Sequence, residues 1–264
     1  SARADKFGES VEMSGDGTTA IIGGFDDRNG GLGSAYVFER DDGEWSQQVK
    51  LTPKDTKNDE FFRPRIAVSG DGTTVIIGVE HDDEPNGERA GSAYVFAHTN
   101  GEWRQQAKLA PDDGDEGDQF GIPAVSRDGT TAIIGPRNTE GAGSAWIFRQ
   151  TDGEWSQRSK VTAGDDDDAG DGALGGLAVS SDASTVMIGD PDGHQTGVAY
   201  VFEHADDGWN QRVRLAPTDP NDGEDEDMFG GEIAVSGDGT TAIIGARNDE
   251  DPNGEEAGSV YVYE

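Results

Sequence analysis

Short apolar runs of three to five residues, separated by Gly, Asp and Asn, recur along the whole chain and fall into four kinds. The first, segment A, is Val11-Glu12-Met13, Ile66-Ala67-Val68, Pro123-Ala124-Val125, Leu177-Ala178-Val179 and Ile233-Ala234-Val235. A tight polar step leads to segment B: Ala20-Ile21-Ile22, Val75-Ile76-Ile77, Ala132-Ile133-Ile134, Val186-Met187-Ile188 and Ala242-Ile243-Ile244. That step is Ser14-Gly15-Asp16-Gly17-Thr18-Thr19 in its first copy and is blurred to Ser180-Ser181-Asp182-Ala183-Ser184-Thr185 in its fourth. Asp-Gly between two such runs is a hairpin signal, because Gly tolerates the positive φ of the turn, so A and B should pair antiparallel.

Segment C is Ser34-Ala35-Tyr36-Val37-Phe38 and its counterparts at 92–96, 144–148, 198–202 and 259–263. Aromatic and β-branched residues on both parities predict a strand covered on both faces. Segment D, at 44–51, 102–109, 154–161 and 208–215, alternates a Trp and an apolar position with Gln, Lys or Arg, the pattern of a half-exposed strand. No segment holds a 3.6-residue period with caps, so almost no helix is expected.

Five returns at a spacing of roughly 55 residues make this a repeat protein, with repeats at about 7–61, 62–119, 120–173, 174–228 and 229–264 in one domain. Four antiparallel strands per repeat, the outer one half polar, describe a propeller blade, and the fold class predicted is an all-β five-bladed β-propeller. The fifth repeat ends at Tyr263-Glu264 without a segment D. Either that blade has three strands, leaving segment C as an open edge for self-association with another chain, or the parent protein is longer.

Repetition also decides how single residues are read. Trp45, Trp103, Trp155 and Trp209 could stack on sugars, but their shared repeat position favours blade-to-blade packing. Ala67, Ala124, Ala178 and Ala234 hold the middle of segment A, where blades crowd and small side chains fit. Glu12 fills that slot in the first repeat, and two readings stay open: a frayed register or a carboxylate in the central channel.

Composition changes the picture next. The 264 residues include 54 Asp and Glu against 20 Lys and Arg, a formal net charge of −34, with 32% hydrophobic residues and no cysteine. That balance normally signals disorder, yet the strict apolar phrases require a folded core inside an acidic shell. Excess carboxylate with only six lysines resembles proteins of extreme halophiles, in which self-repulsion is screened. Phosphate-binding basic patches are missing from the sequence, which argues against nucleic acid and membrane-surface partners. No apolar run reaches 18 residues, so no spanning helix is expected. Ser1-Ala2-Arg3-Ala4-Asp5 is no leader: a signal segment was removed or the chain is excised. Without cysteine, disulfides and thiolate chemistry are excluded.

Phe7-Gly8, Phe120-Gly121 and Phe229-Gly230, each followed by the Ser-Gly-Asp-Gly phrase or its variant and then by segment C, resemble the FG-GAP repeat family. The resemblance spans all five repeats. It implies the β-propeller of integrin α subunits and of bacterial and archaeal surface proteins, hence an extracellular or cell-surface location and a role in adhesion. Integrin-type repeats commonly hold calcium in an Asp-x-Asp-x-Asp-Gly loop between the first two strands. Here that place is only Gly15-Asp16-Gly17 and its equivalents, too short to wrap a cation with six or more oxygens, so that site is not carried over.

Strand parity puts the A–B and C–D turns at one end of a blade, and the B–C loops and D–A crossings at the other. The long acidic loops are therefore expected to share one face, the usual place for binding on a rigid scaffold. Two B–C loops have oxygen side chains at alternate positions and a Gly for the bend: Asp249, Asp251 and Asn253 before Gly254, and Asp82, Glu84 and Asn86 before Gly87. These are candidate calcium ligands, although neither loop has the distal bidentate Glu and Pro-Asn-Gly is also plain turn chemistry. No other cofactor is indicated. His81, His98, His194 and His204 fall in different repeats, beside no nucleophile and in no metal-spaced pair, so no catalytic residue is marked.

The reading is a recognition or adhesion module that binds a protein or glycan through its acidic loop face. Two rivals remain: a carbohydrate-active hydrolase or lyase using a carboxylate pair at the central mouth, and a structural subunit of a surface filament or virion.

Overall fold

A computed structural model describes residues 7–25, 33–54, 65–137, 143–163, 174–193, 196–217, 227–249 and 257–264. Among these described residues nineteen strands form five antiparallel meanders, and there is no helix. Blade one is β1 (Ser10–Met13), β2 (Thr19–Phe25), β3 (Gly33–Asp41) and β4 (Glu44–Leu51). Blade two is β5 (Arg65–Val68), β6 (Thr74–Val79), β7 (Ser92–Thr99) and β8 (Glu102–Leu109). β9 (Phe120–Val125), β10 (Thr131–Pro136), β11 (Ser144–Thr151) and β12 (Glu154–Thr162) make blade three. β13 (Leu177–Val179), β14 (Thr185–Asp190), β15 (Val198–Ala205) and β16 (Gly208–Leu215) make blade four. Blade five has three strands, β17 (Phe229–Val235), β18 (Ala242–Ala246) and β19 (Ser259–Tyr263), in the order β17-β18-β19. The chain is a five-bladed β-propeller whose last blade lacks the outer strand, as the apolar pattern predicts.

Two compact units divide the chain: residues 1–134 with 148–157, and residues 135–147 with 158–264. In the first, Ile21, Ala35 and Val37 of blade one pack onto Val75, Ile77, Tyr94 and Phe96 of blade two. In the second, Met187 and Ala199 of blade four pack onto Phe229, Ile244 and Ala246 of blade five. The rule is the same in both. One face of a blade, its forward face, lies on the opposite face of the blade that follows, which is why segments B and C are apolar on both parities.

The Ser-Gly-Asp-Gly phrase is a hydrogen-bonded turn. Asp16 Oδ1 accepts from the Ser14 hydroxyl, the Thr18 N–H and the Thr18 hydroxyl at 2.7, 2.9 and 2.8 Å, while Ser14 Oγ accepts from the Thr19 N–H at 3.0 Å. Ser69, Ser126, Ser180 and Ser236 begin the same set. Gly17, Gly72, Gly129 and Gly239 take φ between 68° and 74°, and Ala183 in the blurred copy takes 57°. These turns also join blades. The Gly15 N–H donates to the Gly70 carbonyl at 2.9 Å and Asp71 N–H to Arg127 O at 3.1 Å in one unit, and Ser181 N–H to Gly237 O at 2.9 Å in the other. Within each unit the blades thus stand the same way up.

Segment D carries a second set of joints. Gln105 Oε1 accepts the Lys54 N–H and Gln157 Oε1 the Asp112 N–H, both at 2.9 Å, so each outer strand clamps the exit of the preceding blade. The Trp155 indole donates to Gln106 Oε1 at 3.1 Å. That contact makes Trp155 a blade-packing residue, in line with its repeat position. Gln106 is the extra residue of a bulge, since Val95 faces Ala107 while Phe96 faces Gln105.

Candidate functional site

The long-loop end is described most fully in blade two, where the B–C loop 79–91 lies beside the crossing 110–119. Backbone bonds zip the two together: Gly117 N–H to Glu88 O and Gln119 N–H to Arg89 O, each 3.0 Å, and Phe120 N–H to Ala90 O at 2.9 Å. The Asn86 amide donates to the Pro111 carbonyl at 2.8 Å and the Arg89 N–H to Asp83 Oδ1 at 2.9 Å. Few backbone groups are left to rearrange, so the pair forms a shaped platform. Glu84, Glu88, Asp112, Asp113, Asp115 and Glu116 are exposed on it.

Beneath the platform Asp82 is fully buried. Its Oδ2 accepts from the Ser92 hydroxyl, from the Tyr94 hydroxyl at 2.8 Å and from the Lys108 ammonium at 2.8 Å, and Oδ1 accepts the Glu84 N–H at 3.1 Å. A carboxylate taken out of water needs donors on its oxygens to offset the hydration it has lost. Asp82 therefore anchors the loop to strands β7 and β8. Lys108 also lies over the Tyr94 ring, and Lys50 and Lys160 lie over Tyr36 and Trp146 in the corresponding places. Half of the six lysines share this one repeat position. That bias was the available sign of the buried partner, and reading the loop alone as a row of oxygens passes over it.

Asp249 is placed like Asp82. It is buried, accepts from the Tyr261 hydroxyl at 2.7 Å, and its carbonyl accepts the Gly258 N–H at 2.9 Å as that of Asp82 accepts Gly91 N–H at 2.8 Å. Of the other calcium candidates, Glu84 is exposed and Asn86 is committed to Pro111, while Asp251 and Asn253 lie outside the described residues. Among the described residues no three His, Cys, Asp or Glu side chains converge as a metal-holding group.

The turn carboxylates at the other end of the blades are the electrostatic counterpoint. Hydrogen bonds from Ser14 and from the N–H and hydroxyl of Thr18 pull Asp16 down to about 2. Asp182 and Asp238 are lowered by the same donors from Ser184 and Ser180, and from Ser236 and Thr240. Burial opposes the effect at Asp128, yet the bonds from Ser126 and Thr130 still leave it lowered.

Glu12 faces Ile21 as Ala67 faces Ile76, so its register is unbroken and it occupies the small-residue slot of the inner strand. Its surface is accessible but closely hemmed by neighbouring atoms, and this desolvation pushes its carboxyl pKa up. Of the histidines, His98 stacks on Trp103 and His204 meets Trp209 edge to face, each across its own C–D strand pair. His81 is half-buried in the loop, and His194 lies outside the described residues.

Known structures share the architecture. TolB from Acinetobacter baumannii superposes with a TM-score of 0.54 at 10% identity, over 98% of this chain and 51% of that one, so the chain spans about half its length. A Lactobacillus plantarum protein superposes with a TM-score of 0.52 at 15% identity, over 92% of this chain and 71% of that one. The Pseudomonas aeruginosa periplasmic gluconolactonase PpgL gives 0.49 at 14% identity, over 96% and 87%. At such identities the first two likenesses show the fold alone. No curated protein matches by sequence. The FG-GAP repeat profile matches residues 1–38, 45–96, 103–148 and 209–263, well over half of the sequence, and the chain belongs to the FG-GAP repeat family.

Proposed function

We propose that the protein is an extracellular or cell-surface recognition module, not an enzyme, and that it binds a protein or glycan through the long acidic loops of one propeller face. The observation that carries this is the zipped platform of blade two. Its backbone is tied down by neighbouring loops, its base is anchored through buried Asp82, and its top presents six carboxylates to solvent. Rigid loops lose little entropy on binding, and a dense negative surface favours a cationic partner such as a basic protein patch. An outside location agrees with an acidic shell, with the family and with a chain whose described residues hold no helix long and apolar enough to cross a membrane.

The test is binding to arrays of glycans and basic peptides in molar salt. Two fourfold charge reversals are compared with the native chain: Glu84, Glu88, Asp115 and Glu116 to Lys on the platform, and Asp41, Glu44, Glu154 and Asp206 to Lys at the C–D turns. Platform reversal should weaken capture of the bound probe tenfold or more while turn reversal leaves it within twofold. Equal losses in both variants, or no probe bound by the native chain, would overturn the reading.

A further inference from the structure

At the outer rim, blades two and three are fastened by one side chain. Gln106 Oε1 accepts the Trp155 indole N–H at 3.1 Å and the Gln150 amide at 2.9 Å, while Gln106 Nε2 donates to the Gly153 carbonyl at 3.3 Å. One bulge residue of β8 thus holds three groups of the next blade.

The rim between blades one and two has the same parts in the same places. Gln48 is the bulge residue of β4, because Val37 faces Val49 while Phe38 faces Gln47. The neighbouring clamp is alike at both joints, with Gln105 taking the Lys54 N–H as Gln157 takes the Asp112 N–H. The turn that Gln106 grips also repeats: Asn100 and Gly101 have φ of 54° and 78°, against 53° and 85° at Asp152 and Gly153. Gln48 therefore stands to Trp103 as Gln106 stands to Trp155.

Yet Gln48 is turned away. Its amide donates to Ser46 Oγ at 2.8 Å and to the Ser46 carbonyl at 3.5 Å, and both residues are exposed. Trp103 packs on the core shared by blades one and two and stacks on His98, but its buried indole N–H has no acceptor among the described residues. A buried donor left without an acceptor is costly. Residue 46 explains the difference. Its counterpart in blade two is Arg104, which has no acceptor atom and is held by Glu102 at 2.5 Å, so nothing competes for Gln106. In blade one the Ser46 hydroxyl competes. His98 also takes the place of Gln150, stacking on the indole where Gln150 bonds the glutamine.

We propose that Gln48 is a two-position strap, open on Ser46 and closed on Trp103. In the closed position Gln48 Oε1 accepts the Trp103 indole N–H and Nε2 donates to the Gly101 carbonyl. Side-chain rotation alone separates the two. Closing exchanges an exposed bond for a buried one and ties blade one to blade two as blade two is tied to blade three. The positions differ by about one hydrogen bond, so both are populated and Ser46 sets the balance. The device lies wholly among blades one to three and is independent of the acidic loops.

Indole N–H resonances in nuclear magnetic resonance spectra test it, with Trp103→Phe and Trp155→Phe giving the assignments and circular dichroism checking each fold. Ser46→Ala should shift the Trp103 signal towards that of Trp155 and slow its exchange with solvent about fivefold. Adding Gln48→Ala should cancel both changes. Arg104→Ser, which installs the competing hydroxyl in blade two, should speed Trp155 exchange about fivefold. A Trp103 signal unmoved by Ser46→Ala, as it would be if water already satisfied the indole, overturns the proposal. So does a change that survives Gln48→Ala, or a Trp155 signal indifferent to Arg104→Ser.

Discussion

The turn glycines offer a way to separate backbone strain from blade-to-blade contact. Gly17 and Gly72 hold the same place in consecutive turns with φ of 70° and 72°, so alanine meets the same left-handed strain at both. That strain costs about 1–2 kcal/mol and is partly offset by about 0.4–1 kcal/mol from the loss of glycine's freedom in the unfolded chain. At Gly17 a Cβ would touch only Met13 Sδ at 3.9 Å, and Gly17→Ala should therefore cost about 1 kcal/mol. At Gly72 it would lie 2.7 Å from Thr19 Oγ1 and 3.1 Å from Thr19 Cβ, in the turn of the preceding blade. Overpacking of this kind adds about 1–3 kcal/mol, so Gly72→Ala should cost about 2–4 kcal/mol. The assay is guanidinium unfolding at fixed salt followed by tryptophan fluorescence. In a Thr19→Ala background Gly72→Ala should recover part of the difference from Gly17→Ala, because the Thr19 hydroxyl at 2.7 Å is gone while the Cβ atoms of residues 19 and 14, at 3.1 and 3.3 Å, remain. Equal costs for Gly17→Ala and Gly72→Ala, or no recovery with Thr19→Ala, would refute a close turn-to-turn contact.

Ala183 runs the experiment in reverse: at φ 57° it already bears the strain, and Ala183→Gly should raise stability by up to about 1 kcal/mol in the same assay. Phe120→Ala, at a fully buried position against Phe148, should cost about 3–5 kcal/mol in the same assay. Asp82→Asn leaves Lys108 beside a neutral amide and should cost about 3–5 kcal/mol, by the same amount in calcium as in chelator if Asp82 anchors the loop and holds no metal. Asp16, Asp128, Asp182 and Asp238 have folded pKa values below the unfolded value of about 3.9, so their contribution is present above that pH. It is lost as pH falls towards 2, and thermal unfolding of Asp16→Asn should be less acid-sensitive over that window than that of the native chain.

Much of the architecture was legible because each recurrent phrase has one mechanical duty. Short apolar runs bounded by turn residues predict the strands, Asp-Gly the hairpins, and the absent fourth segment the three-stranded last blade. The packing reading of the Trp position holds at Trp155, whose indole bonds Gln106 of the preceding blade, and at Trp103, which packs on the core shared by blades one and two, whereas Trp45 is 42% exposed. Other features needed three dimensions. The Gln residues of segment D look like solvent-facing polar positions, yet Gln105 and Gln157 cap the exit of the neighbouring blade, which no periodicity within one strand reveals. Asp82 reads as a loop oxygen because its partners Tyr94 and Lys108 come from the next two strands. Glu12 also required register: its pairing with Ile21 excludes fraying.

These joints explain why a lean, acidic chain can hold a fold. With 32% hydrophobic residues the blades cannot rely on a deep common core, and stability is distributed over repeated contacts between neighbours. Each contact spends little apolar surface. A glycine admits the next backbone, a Ser-Asp-Thr turn donates to the next turn, and a Gln catches the previous exit. Carboxylates inside this framework are tied to hydroxyls, N–H groups or a scarce lysine, whereas those of the described long loops largely face solvent. Charge in the framework and charge on the loops thus have different physical duties. Substitutions at one joint should accordingly add to those at a distant joint within about 0.5 kcal/mol and couple only to their own partner across the interface.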